Sequence, residues 1–138
     1  MSSEQEAVNR RMLRARDAMD RAYGQPLNIR TLAAIAYVSE AHFIRTFRAT
    51  FGETPHRYLQ RRRVERAMFL LRMTDQPVTE ICMAVGFSSL GTFSRTFRVI
   101  VGRSPSVFRA QRVVLVAPTC FSMSWSRPSS FGEATALG

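Results

Sequence analysis

Four arginines come in two matched pairs. Arg45 and Arg48 lie in Phe43-Ile44-Arg45-Thr46-Phe47-Arg48, and Arg95 and Arg98 lie in Phe93-Ser94-Arg95-Thr96-Phe97-Arg98. A guanidinium is a planar fork of N–H donors that fits phosphate oxygens, or guanine O6 and N7, two at a time. The phenylalanines of each stretch are four apart and share one helical face; the arginines, three apart, fall on another. Each stretch reads as a helix with an apolar back and a basic front. A plain core helix with solvated arginines would carry the same pattern, but the repetition argues for more. Phe, Arg, Thr, Phe and Arg recur at a shift of 50, and so do the Gly52 and Pro55 that follow, as Gly102 and Pro105. Such a register marks a duplicated structural unit.

Composition narrows the chemistry. The chain has 138 residues, enough for one domain or two small subdomains sharing a rigid joint. Its formal net charge is +10 and its sequence pI is near 11.4. Every basic side chain other than histidine is arginine. So basic a small domain points first to nucleic acid and then to an acidic membrane surface. The arginines are interleaved with Asp and Glu, unlike a polybasic membrane tail. Cys82 and Cys120 are far apart and show no metal spacing, so no disulfide framework is expected and Cys82 reads as a small core residue. No apolar run approaches the roughly 20 residues needed to cross a bilayer, and the N-terminus has no apolar signal region. A reducing, cytoplasmic setting is expected.

The elements that position the arginines can be placed in order. Val8, Met12, Ala15, Met19 and Ala22 predict a helix over 4–23, stopped by Gly24 and Pro26. Asn28 suits the N-cap of a short helix running to Tyr37, and Ser39 the cap of the helix that carries the first arginine pair. Short helix, tight turn and basic-faced helix is the plan of a helix-turn-helix unit. Val78, Ile81, Cys82 and Val85 match Ile29, Leu32, Ala33 and Ala36 at a shift of 49, so the second turn holds one extra residue. Gly86 suits a left-handed turn position. Tyr37 holds the matching place, where positive φ is costly, so the first turn is expected to differ or to be strained.

Between the copies, Thr54 and Pro55 open a long helix to about residue 73. Tyr58, Leu59, Val64, Ala67, Met68 and Leu71 face inward. Arg61, Arg62, Arg63 and Arg66 leave the rest of its surface basic, with at least two of them read as merely solvated. Such a rod spans roughly 28 Å, enough to hold two reading heads about one DNA turn (~34 Å) apart. Ser104-Pro105 opens a last short helix. The boundaries read as 1–53 for the first helix-turn-helix subdomain, 54–74 for the linker helix, 75–112 for the second subdomain and 113–138 for a tail. The tail begins with the strand-like run Val113 to Val116, and Phe121, Met123 and Trp125 alternate in it. A lone strand is unstable in water, so the tail is expected to pack on the helices, to pair with another chain or to stay unfolded.

These residues resemble the DNA-binding domain of the AraC/XylS family of bacterial transcription regulators. The first half carries the resemblance in Leu32-Ala33, Ser39, His42-Phe43, Arg45, Phe47-Arg48, Gly52 and Pro55. The second half carries it in Ile81, Ala84-Val85-Gly86-Phe87-Ser88-Ser89, Phe93-Ser94-Arg95, Phe97-Arg98, Gly102 and Pro105. The resemblance covers residues 8–112. It implies an all-α, homeodomain-like fold of seven helices: two helix-turn-helix subdomains joined by a long central helix. It implies that helices three and six enter successive major grooves, usually bending the duplex, and that RNA polymerase is a partner. Most members carry a further sensing or dimerising domain; this chain looks like the small stand-alone subgroup. The tail has no place in the seven-helix pattern.

In such helices the residues just inside the N-terminus face base edges. In the first copy these are Ala41, Ile44 and Arg45; in the second, Leu90, Gly91, Thr92, Ser94 and Arg95. Arg45 and Arg95 can each grip a guanine, hold a phosphate or pair within the protein. Ile44 can read only a thymine methyl or exclude water, and Leu90 and Gly91 offer little hydrogen bonding, so the second head leans on Arg95, Ser94, Thr92 and DNA shape. Arg48 and Arg98, one turn further on, suit phosphates, as do Ser39, Ser88 and Ser89. Asn28 and Thr54 read as caps. His42 and His56 do not make a metal pair, and no Cys/His cluster, phosphate loop or catalytic constellation stands out. The expectation is therefore a sequence-specific regulator with no cofactor or metal and no enzymatic activity, which binds double-stranded DNA as a monomer and does not engage membranes. The alternative is an interaction module that recruits RNA polymerase or another partner through the tail. A third reading makes the tail, with Cys120 and Trp125, an effector sensor.

Overall fold

The computed structural model describes residues 2–112. They contain seven helices: α1 (Ser3–Arg21), α2 (Ile29–Ile35), α3 (Glu40–Phe51), α4 (Pro55–Met73), α5 (Val78–Ala84), α6 (Leu90–Val101) and α7 (Pro105–Ala110). No strand occurs among the described residues, as an all-α reading requires. The described residues divide into two units after Ser104, so α7 belongs to the second. The strand-like run at Val113 and the tail residues Cys120, Phe121, Met123 and Trp125 lie outside the described residues.

Local signals set the helix starts. Ser2, Asn28, Ser39, Thr54 and Ser89 are extended N-cap residues whose side-chain oxygens each accept the backbone N–H three residues on. Such a cap satisfies one of the four orphan donors of a helix start and is worth about 1 kcal/mol. Pro55 follows Thr54 in the first turn, where its missing N–H costs nothing. Gly52 and Gly102 close α3 and α6 in the left-handed conformation, at φ 81° and 94°.

Helices α1, α2 and α3 form the first head. Met12, Ala15 and Met19 of α1 meet Leu32 and Ala33 of α2, Ala36 after it, and Phe43 and Phe47 of α3 in one buried cluster, which Tyr58 and Leu59 of α4 complete. The Phe47 ring lies 4.7 Å from that of Phe51 and 5.8 Å from that of Tyr58, both edge-on. In the second head, Ile81, Cys82, Val85, Phe87, Phe93 and Phe97 are buried around the same plan. Burying one phenylalanine stabilises by about 1.5–3 kcal/mol, and cutting Phe43 or Phe93 back to alanine would cost about 3–5 kcal/mol. The linker α4 packs against α3 and against α5 and α6, and its Val64, Ala67 and Leu71 are buried.

The two turns share one hydrogen-bond pattern. Tyr37 N–H donates to Ala34 O and Val38 N–H to Ala33 O; Gly86 N–H donates to Met83 O and Phe87 N–H to Cys82 O. Of the two expected departures, a different turn is therefore set aside, and strain is what the first copy shows: Tyr37 has φ 59°. The extra residue of the second turn is Ser88, exposed just before the Ser89 cap.

The arginines of α4 correct the reading that at least two are merely solvated. Arg61 pairs with Glu53 at 2.7 Å and Glu65 at 2.8 Å, and Arg62 with Asp20 at 3.1 Å and Glu65 at 2.8 Å. Hydrogen bonding to Glu53 raises the Arg61 pKa. Burial opposes the charge of Arg62, but Glu65 and Asp20 outweigh it and raise the pKa. Arg63 donates to two backbone carbonyls, and Arg66 stacks 4.8 Å from the Phe69 ring centre. Glu53, eight residues before Arg61, and Asp20, 42 residues before Arg62, account for the difference.

Candidate nucleic-acid interface

The buried backs of α3 and α6 determine what their fronts can present. With Phe43 and Phe47 fully buried, Ala41, Ile44, Arg45 and Arg48 are left exposed. With Phe93 and Phe97 fully buried, Leu90, Gly91, Thr92, Arg95 and Arg98 are left exposed, and Ser94 is half-buried. The residues expected to face base edges are thus exposed in both heads, apart from the half-buried Ser94.

Electrostatics separates these arginines from those of α4. Among the described residues, no carboxylate pairs with Arg45, Arg48, Arg95 or Arg98. Of the three options for Arg45 and Arg95, an internal ion pair is therefore not used. Four guanidinium charges stay available to an anionic partner, while Arg61 and Arg62 are neutralised inside the protein.

The two fronts differ in their first turns. The first holds Glu40, whose carboxylate lies 3.6 Å from the Arg30 guanidinium of α2. That pairing offsets a negative charge that would otherwise repel phosphates. The second holds no acidic residue. There the Ser89 hydroxyl donates to Thr92 Oγ1 at 2.9 Å while accepting from Thr92 N–H at 3.2 Å. Arg95 Nη2 in turn donates to Thr92 Oγ1 at 3.4 Å. Ser89 is thus engaged twice in capping, and what it offers a phosphate comes through Thr92 or its own backbone. The Ser39 hydroxyl only accepts from His42 N–H and keeps its proton to give. Gly91 is not needed for space, because an added Cβ would stand 3.5 Å from Arg95 Nη1, an ordinary contact.

Arg45 and Arg95 each border a cleft that sequence reasoning missed. Arg45, His42 and Thr46 of α3 face Gln5, Val8 and Asn9 of α1 across an open groove. Arg95, Thr96 and Val99 of α6 face His56, Arg57 and Gln60 of α4 across another. The only sequence signal was the polar character of Gln5 and Asn9 within an otherwise periodic helix. His42 and His56 are both exposed, and His56 Nε2 accepts from Gln60 Nε2 at 3.2 Å.

This geometry recurs in known proteins. The sequence pattern of the helix-turn-helix domain family matches residues 32–111. The chain is 30% identical over 83 residues to the probable transcriptional regulator LumQ of Photobacterium leiognathi, covering 60% of this chain and 34% of that protein. It thus spans about a third of the length of that relative. It is 37% identical over 91 residues to the regulatory protein SoxS of Escherichia coli, covering 66% of this chain and 85% of that one. Among solved structures it is similar to the DNA-binding domain of AdpA, a global transcriptional factor, in complex with a target DNA. The TM-score is 0.69 at 32% identity, over 72% of this chain and 89% of that one.

Proposed function

Because the chain belongs to the AraC-type family of helix-turn-helix transcription regulators, we propose that it regulates transcription by sequence-specific binding to double-stranded DNA. Helices α3 and α6 enter successive major grooves on one face of the duplex. The single observation that carries this reading is the repeated front: two helices of one chain expose matched arginine pairs that no described carboxylate neutralises.

Each group has a task that follows from its chemistry. Arg45 and Arg95 read guanine through O6 and N7, because only a fork can satisfy both acceptors at once. Ala41, Ile44, Leu90 and Gly91 present small or apolar surfaces to thymine methyls and exclude water, while Thr92 and Ser94 add hydrogen bonds. Arg48, Arg98, Ser39, Ser88 and Ser89 hold phosphates and fix the register. One protein molecule covers about two turns of DNA, since it carries both heads. The chain acts by binding, not by catalysis, and a DNA target places it in the cytoplasm with RNA polymerase as the partner it influences. No helix among the described residues is long and apolar enough to cross a membrane.

The test is selection of bound sequences from random duplexes, followed by mobility-shift titration of the winners and of single-base variants. A site of two short motifs about one turn apart is the expected result. Binding that depends on salt but not on sequence would leave only a generic polyanion binder.

A further inference from the structure

We propose that Arg63 is the positioning residue that locks the second DNA-reading head against the first and so determines which spacing between half-sites the protein accepts. The spacing part rests on the two-headed reading above; the joint does not.

Three segments distant in sequence meet at its guanidinium. Arg63 Nε donates to Tyr23 O at 2.6 Å, and Nη2 donates to Gln25 O at 2.8 Å. Both carbonyls belong to the loop that closes α1, where Tyr23 and Leu27 pack against the core of the first head. On its other side the guanidinium carbon stands 5.9 Å from the centre of the Phe87 ring, a buried member of the second head's core. One side chain of the linker thus touches both heads.

The backbones around it approach as closely as glycine allows. A Cβ on Gly86 would stand 2.8 Å from Arg63 Nε and 2.9 Å from Tyr23 O. A Cβ on Gly24 would stand 3.1 Å from Ala84 O. The loop after α1 therefore abuts the turn between α5 and α6, and both glycines serve that approach.

Arginine suits the place because its fork serves two carbonyls with one planar group, whereas a lysine ammonium is a point donor without that geometry. Burial lowers the Arg63 pKa, which marks a guanidinium withdrawn from water and not one reaching for phosphate. Its neighbours act elsewhere: Arg61 and Arg62 pair with Glu53, Glu65 and Asp20. Without Arg63 the heads keep the packing of α4, but the loop-to-turn contact loses its tie.

The test measures the joint first and DNA second. Spin labels on cysteines placed at the exposed positions Thr50 and Val99, in a Cys120→Ser background with Cys82 buried, report the distance between heads in the full chain. A single narrow distance is expected for Arg63, and a broadened or shifted one for Arg63→Met at unchanged helical content by circular dichroism. If Arg63→Met does not fold, Arg63→Lys is read in the same way. A distribution identical to the parent's overturns the proposal. The selected DNA site is then titrated with base pairs inserted between its halves, each turning the second half by about 35°. One insertion should weaken the parent on the order of tenfold, and the variant clearly less. A parental spacing preference that the variant keeps intact also overturns the proposal. A parent indifferent to spacing would instead defeat the two-headed reading, leaving the joint to be decided by the distances.

Discussion

Tyr37 and Gly86 hold the same turn position in the two heads, and both have positive φ, 59° and 103°. One of them is strained there and the other is not. An L side chain in the left-handed region costs roughly 1–2 kcal/mol. Tyr37 sits there 74% exposed, with the Arg14 guanidinium 5.7 Å from the centre of its ring, so little burial offsets the strain. Gly86 meets the same backbone demand freely, and its missing side chain is filled by Arg63 and Tyr23 O.

Substitutions at the two positions should therefore behave unequally. Tyr37→Gly relieves strain but loosens the unfolded chain by about 0.5–1 kcal/mol, so net stability should move by less than about 1 kcal/mol. Gly86→Ala adds the left-handed strain and two contacts under 3.0 Å, so it should lose at least about 2 kcal/mol. Urea unfolding of the two variants decides the matter. Changes of similar size and opposite sign at the two sites would show that the turn conformation alone, and not the packing under Gly86, sets the cost.

Arg45→Ala and Arg95→Ala should each lose about 1–3 kcal/mol of discrimination at one base pair. The expected signature is selective: the variant binds the cognate site less well, yet no longer distinguishes it from the site altered at the contacted pair. Titration against every single-base variant gives that profile. A uniform loss on all sequences would assign these arginines to phosphates.

Arg48→Ala and Arg98→Ala should give that uniform loss. Each removes one phosphate contact, so the slope of log affinity against log salt should fall by about 1 per substitution. Affinities across a salt series measure it. An unchanged slope would mean that the fourth position of each arginine motif faces water in the complex.

The parts of the fold that rest on local chemistry were legible in the sequence. Asn28, Ser39 and Thr54 cap helices because a short polar side chain beside an apolar period has few other uses. Phe43, Phe47, Phe93 and Phe97 are buried because a spacing of four allows one shared face. What stayed hidden were contacts whose partners carry no residue signature. Arg63 binds carbonyls about 40 residues away, and any residue type supplies a carbonyl. Gly24 reads as a helix stop, and nothing local shows that it meets Ala84. Arg61 and Arg62 look solvated until the fold brings Glu53 and Asp20 to them.

A complex of one protein with one duplex is expected in analytical ultracentrifugation, because both reading helices belong to one chain. Strict binding of two proteins to a palindromic site would mean that each chain uses one head and that another surface pairs the copies.

Alkaline pH should expose the bond between Tyr58 and Asp20. The Tyr58 hydroxyl donates to Asp20 Oδ1 at 2.7 Å, and Arg62 Nε donates to the same oxygen at 3.1 Å. Burial, the bond to Asp20 and its negative charge push the Tyr58 pKa from 10.0 up to about 12, against the pull of Arg16 and Arg62. The folded state thus holds the phenol proton more tightly than the unfolded chain does. Its contribution is fully present below pH 10 and is lost as pH rises towards 12, because there the unfolded state binds fewer protons. Tyr58→Phe removes both the bond and its titration. At neutral pH the variant should be about 1–2 kcal/mol less stable, with Asp20 keeping Arg62 as a partner. Urea unfolding of the two proteins across the alkaline range should show that difference closing between pH 10 and 12. A difference that stays constant over that window would mean that what the hydroxyl contributes is not linked to its titration, and no difference at neutral pH would mean that Tyr58 contributes through ring packing on Phe47 alone.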